Sequence, residues 1–150
     1  MTEAVKETGQ VVSIASLAVP SREVEVDFPG VDGFKVKVAF QSRDELMKLR
    51  RKATTQKFKN RQLVEEVDDQ LFLELYCRAV IRGWSGLKFK HLTKLMLVDA
   101  SKANPEDEMK FSDDNALALM KGSADFDSFI TDTISDISNF SKSSSAQLKG

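Results

Sequence analysis

Polar and apolar residues alternate singly in two neighbouring stretches of the chain. The rest of its regular pattern recurs at steps of three and four. Arg22-Glu23-Val24-Glu25-Val26-Asp27-Phe28 and Phe34-Lys35-Val36-Lys37-Val38-Ala39-Phe40 each place apolar groups on one face and charges on the other, the period of a half-buried strand. Pro29-Gly30-Val31-Asp32-Gly33 between them supplies turn residues, with glycines free to take positive φ. The spacing predicts a β-hairpin over 22–40. Glutamates on one strand facing lysines on the other favour antiparallel pairing.

Everything beyond the hairpin reads as helix. Ser42-Arg43-Asp44-Glu45 matches a capping box, which starts a helix over about 43–58 with a thin apolar face at Leu46, Leu49 and Ala53. Asp68-Asp69 opens a second helix over 69–83, in which Phe72, Leu75, Tyr76, Ala79 and Val80 form the stripe and Leu71, Leu73, Cys77 and Ile81 lie off it. The glycines of Gly83-Trp84-Ser85-Gly86 are read as its stop. A short helical turn at Leu92, Leu95 and Met96 and a loop over 102–108 follow. Ser112 caps a helix over 112–121, whose first-turn acids suit the helix dipole. The last helix, 124–140, carries Phe126, Phe129, Ile130, Thr133, Ile134, Ile137 and Phe140 on one side. The expected fold is mainly α with an N-terminal β-hairpin (α+β), a small helical domain over 22–140. A flexible arm, 1–21, and a Ser- and Lys-rich disordered tail, 141–150, flank it.

A chain of 150 residues fits a single domain and can bury a core without metal or disulfide. Its one cysteine, Cys77, and one histidine, His91, speak against a disulfide scaffold or a His-rich metal site. No stretch nears the ~18 apolar residues of a membrane span, and no basic region precedes the apolar run 11–19, so a cytosolic protein is expected. The net charge of −1 hides an asymmetry. Residues 43–61 hold eight basic and two acidic side chains (+6), whereas 104–140 hold nine acidic and two basic ones (−7). Such a dipole along the sequence suits either a polyanionic partner or association of one copy with the next.

No constellation of residues supports enzymatic chemistry. His91 sits in a basic segment and reads as a surface histidine. Gly83-Trp84-Ser85-Gly86 has the wrong spacing for a nucleophile elbow, and Cys77 reads as a small buried hydrophobe. Glu65-Glu66 and Asp68-Asp69 read as a solvated linker and a helix start. None of the seven glycines falls in a phosphate-binding loop. No enzyme, metal or cofactor is expected. The candidate interaction residues are Arg50, Arg51 and Lys52 in the basic segment, Trp84, and Phe126, Phe129, Ile137 and Phe140 on the last helix. The helix stripe reads first as core, and second as the apolar face of a helix-in-groove contact.

The run Tyr76 to Leu87 with Gly83-Trp84-Ser85-Gly86, then Phe111-Ser112-Asp113-Asp114-Asn115-Ala116-Leu117-Ala118-Leu119-Met120, then the closing helix Phe126 to Phe140, resembles in order the tail assembly chaperones of long-tailed (siphovirus-like) bacteriophages. The resemblance covers roughly 71–140, with the hairpin agreeing in position. It implies a non-enzymatic role in the host cell cytoplasm: binding the tape measure protein, keeping it soluble and promoting assembly of tail tube protein around it. It also implies absence from the mature virion. Members of that family are often made in a longer frameshifted form as well, for which 141–150 would be the joint. A homo-oligomer is expected from the charge asymmetry. The alternatives are a nucleic-acid-binding accessory protein using the basic segment 48–61, against which pI and the scarcity of aromatics weigh, and a virion tail structural subunit.

Overall fold

The first hairpin forms where the alternation places it. In a computed structural model, which describes residues 12–19, 21–136 and 138–141, β1 (Ser21–Asp27) and β2 (Lys35–Gln41) pair antiparallel. Glu25 lies opposite Lys37 and Asp27 opposite Lys35, and Lys35 Nζ reaches Asp27 Oδ1 at 2.8 Å. The other face holds the buried Val24, Val36 and Val38. A short helix, α1 (Ile14–Leu17), precedes the hairpin.

The mainly helical expectation is corrected. Among the described residues 48% are helical and 26% extended, in two antiparallel sheets, so the fold is α+β with strands well beyond one hairpin. The helix expected over 43–58 stops early: α2 (Arg43–Lys52) is capped by Ser42, whose hydroxyl accepts the Glu45 amide at 3.2 Å, and the chain then turns into β3 (Thr54–Lys59) and β4 (Gln62–Val67). Thr54 and Thr55 are β-branched and poor in a helix. Asn60 and Arg61 both take positive φ, 50° and 66°, as a two-residue type I′ hairpin turn requires.

The helix expected over 69–83 also ends early. α3 (Asp69–Val80), capped by the Asp68 carboxylate on the Leu71 amide, gives way to β5 (Ile81–Ser85). β5 adds to the first hairpin in the order β1-β2-β5, with a bulge opposite Lys37 and Val38. Gly83 and Trp84 are therefore strand residues, not a helix stop. The buried stripe of α3 is also rotated: Cys77 and Val80 are buried, with Leu73 and Tyr76 packed beside them, while Phe72 and Leu75 stay half-buried.

Four further helices follow: α4 (Phe89–Leu95), α5 (Asp113–Gly122), α6 (Ala124–Ser135) and α7 (Ser138–Ser141), with a 3₁₀ turn at Ala100–Lys102. The single helix expected over 124–140 is broken at Asp136, which is extended. Thr133 and Ser135 hydroxyls donate to the Phe129 and Thr131 carbonyls, and Asn139 Nδ2 donates to the Thr133 carbonyl at 2.9 Å. The Asn139 bond gives the Thr133 carbonyl, one of the last four of the helix, a partner other than a continuing helix, and the two hydroxyl back-bonds are of the kind that bend a helix.

Helices α3 and α6 pack on the three-stranded sheet with α5 against both helices, and Val36, Val38, Val80, Ile81, Leu119, Phe126 and Ile130 meet in the core. An aromatic cluster fills the middle. The Phe126 ring lies 6.3 Å from Phe34 and 6.2 Å from Trp84, and Trp84 sits edge-on to Phe111 at 5.2 Å. The opposite sheet face is charged, with Glu23, Glu25, Lys35 and Lys37 exposed. No helix among the described residues is long and apolar enough to cross a membrane.

Candidate protein interaction site

Two surfaces stand out from this packed body. The first is the β3-β4 hairpin. Its strands pair with each other along their whole length and touch the rest of the fold only marginally. The arm is rooted where the Asp68 amide donates to the Ala53 carbonyl at 2.8 Å, with Ala53 fully buried. At its far end Phe58 lies directly opposite Leu63, and these side chains are 76% and 59% exposed. On the other face Lys57 and Lys59 both reach Glu66. Those two lysines hold the Glu66 carboxyl below its ordinary range, the Lys59 hydrogen bond contributing most. Residues 57–63 carry Lys57, Lys59 and Arg61 and no acid.

The second surface is a shallow groove of about 530 Å³ along α6. Its apolar part is Phe28, Pro29 and Phe129, and its charged lining residues are Asp125, Asp132 and Asp136, with no basic side chain among them. Phe28 and Phe129 stack edge to face at 4.9 Å, so this floor is an outer wall of the core.

The residues picked from the sequence fall apart into two groups. Arg50, Arg51 and Lys52 are exposed in the last turn of α2, where cations suit the helix dipole, and form no ion pair among the described residues. Phe126 is fully buried, Phe140 is 3% exposed against Phe40, and Trp84 is half-buried with its Nε1 donating to the Met109 carbonyl at 2.8 Å. These three build the core. Phe129 is half-buried and reaches the groove. Ile137 lies outside the described residues. The basic segment does not form one helical face, because its cations divide between α2 and the hairpin. No ion pair among the described residues joins it to the acidic stretch 104–140; those acids pair nearby, Glu106 with Lys88 and Lys90 and Asp113 with Arg78.

The chemistry-bearing residues have structural partners. His91 is half-buried, and its Nδ1 accepts the Lys88 amide at 3.1 Å at the start of α4. Burial pushes the Cys77 thiol up to about 11. Asp68 is a helix cap, and Glu65 and Glu66 are strand residues. Among the described residues no cluster of His, Cys, Asp and Glu is arranged to hold a metal ion. The hairpin tip was the feature missed. Its sequence signal is faint: β-branched Thr54, Thr55, Val64 and Val67 lie on either side of Asn60-Arg61, but neither run alternates cleanly.

The sequence profile of the YdaY prophage protein family matches residues 37–150, most of the chain. The chain belongs to that family. It is therefore phage-derived. The matched segment of this YdaY-family protein begins within β2 and includes the hairpin arm, Trp84, Phe111 and Phe126 of the aromatic cluster, and the α6 side of the groove, but not Phe28, Pro29 or Phe34. No curated protein and no solved structure matches the chain.

Proposed function

We propose that this YdaY-family protein is a non-enzymatic tail assembly chaperone, which binds the tape measure protein in the host cytoplasm, promotes polymerisation of tail tube protein around it and leaves before the virion is complete. The observation that carries the reading is the display of apolar side chains in segments standing off a well-packed body. Phe58 and Leu63 face each other at the hairpin tip, Ile14 and Leu17 are 84% and 64% exposed on α1, and Leu97 is 99% exposed. Apolar groups in water on otherwise ordered elements are stabilised when a partner covers them. A long client with repeated apolar helical surface is a partner for which many weak contacts suffice. The resemblance over 71–140 supplies the identity of the client.

Co-expression tests it. The tape measure protein encoded by the same prophage is expected to move from the insoluble to the soluble fraction when this protein is present, and to co-purify with it. A tape measure protein equally insoluble with and without the partner would sink the reading. Nucleic-acid binding gains no support from the geometry, since Lys57 and Lys59 are engaged by Glu66 and the remaining cations do not line one groove.

A further inference from the structure

We infer that the chain assembles head to tail with itself, the β3-β4 hairpin tip of one copy seating in the α6 groove of the next. The two surfaces match in sign and in chemistry. Residues 57–63 carry three cations around Phe58 and Leu63; Glu66 holds Lys57 and Lys59, and Arg61 at the turn forms no ion pair among the described residues. The groove carries three aspartates and no cation around Phe28, Pro29 and Phe129. A two-stranded ribbon entering end-on brings both of its faces to the groove walls. Phe58 and Leu63 then cover the apolar floor, while Arg61 meets Asp125 and Asp132 at the rim.

Geometry within one chain favours a second copy as the occupant. The arm is held straight by its own ladder and rooted at Ala53 and Asp68, between α2 and α3, while the groove lies along α6 beside the loop at Phe28 and Pro29. Using one patch to meet a different patch makes a heterologous contact. Such contacts propagate into rings or open filaments rather than stopping at a dimer. The charge asymmetry seen along the sequence becomes, on this geometry, a polarity of the assembly. The inference goes beyond client binding, and its test needs no client.

The test uses the full chain alone in sedimentation velocity at low salt. The wild type is expected to form species larger than a dimer that shrink as salt rises, because rim charges are screened. Phe58→Asp, at an exposed tip, is expected to weaken self-association by roughly thirtyfold or more, the loss typical of a central contact residue, and Asp132→Lys, at an exposed groove position, to weaken it by a similar factor by setting a cation against Arg61. Circular dichroism confirms that each variant keeps the fold. Mixing the two variants is the decisive arm. Each retains one intact surface, the groove in Phe58→Asp and the tip in Asp132→Lys, so an equimolar mixture is expected to give a one-to-one dimer that grows no further. A wild type that stays monomeric, variants that assemble like the wild type, or a mixture that stays monomeric would each overturn the inference. Recovery of tape measure solubility by a monomeric wild type would leave the chaperone reading standing while removing this one.

Discussion

Gly86 lies with its backbone against Gly33: a Cβ on Gly86 would fall 1.9 Å from the Gly33 carbonyl oxygen and 2.7 Å from its carbon. This contact lets the segment after β5 pass the turn of the first hairpin. Gly86 also has φ +79°, a left-handed conformation that L side chains adopt at a cost. Gly86→Ala therefore meets both strain and a collision with backbone, and is expected to cost more than ~3 kcal/mol or to abolish soluble expression. Gly30 has a similar φ of +86° but open space around it, so Gly30→Ala should cost only ~1–2 kcal/mol. Urea denaturation of the two variants separates the steric from the conformational contribution.

Trp84 is held by a hydrogen bond from its Nε1 to the Met109 carbonyl at 2.8 Å while its ring meets Phe34, Phe111 and Phe126. Trp84→Phe keeps an aromatic ring but removes the donor and leaves the carbonyl without this partner. The expected loss is ~1–3 kcal/mol, seen as a fall in Tm of several degrees. A Tm within one degree of the wild type would show that the Met109 carbonyl finds another donor.

The β1-β2 hairpin was legible because both of its signals, single-residue alternation and a glycine turn, lie together in the sequence. The helix caps at Ser42, Asp68 and Ser112 were legible for the same reason: each is a local bond to an amide three residues on. What local pattern did not show was where helices give way to strands. Thr54 to Val67 is dense in charge, which resembles a solvated helix, and only the paired positive φ of Asn60 and Arg61 turns it into an arm. Ile81 to Ser85 is short and contains a glycine. It becomes a strand because β2 offers a free edge from far away in the sequence, a non-local interaction that outweighs local preference. The interaction residues followed the same logic. The stripe of Phe126 and Phe140 reads first as core and second as an interface, and in the fold both rings are buried.

Phe126 and Phe58 are the same side chain in opposite environments. Phe126 is fully buried among aromatic rings, so Phe126→Ala opens a cavity and is expected to cost ~3–5 kcal/mol. Phe58→Ser removes a ring that is 76% exposed and should leave stability within about 0.5 kcal/mol. Chemical denaturation of both gives the contrast. A large loss for Phe58→Ser would mean that the ring packs on the body and is not a free tip.

Glu106 joins the loop before α5 to the start of α4. Its two carboxylate oxygens each accept from a lysine at 2.7 Å, Lys88 and Lys90, and these bonds lower its carboxyl from an ordinary 4.5 to about 2. A depressed folded value means that the pair favours the folded state above pH 4.5, and that this contribution fades as pH falls toward 2. The side chain is exposed, so the effect on global stability should be small and screened by salt. Titration followed by carboxyl NMR is expected to place Glu106 well below its ordinary 4.5. Lys88→Gln should move it upward, and no movement would show that the ion pair does not persist in solution.

Cys77 shows the opposite shift for a different reason. Its thiol is 2% exposed on the inner face of α3, and burial, helped by the negative charge of Asp127, raises it from 9.0 to about 11. The folded chain thus holds the proton more tightly than the unfolded chain. The contribution of this group is fully present below pH 9.0 and is lost as pH rises toward about 11. Two consequences separate it from an exposed thiol. At pH 8 the thiolate fraction is lower by roughly a hundredfold, so a thiol reagent should label the native protein slowly and the urea-unfolded protein at once. Cys77→Ala, which removes the titrating group at the cost of a small cavity, should flatten the fall in stability between pH 9 and 11 relative to wild type. Equal labelling rates in the native and unfolded states would place Cys77 at the surface and contradict the packing of α3 on the sheet.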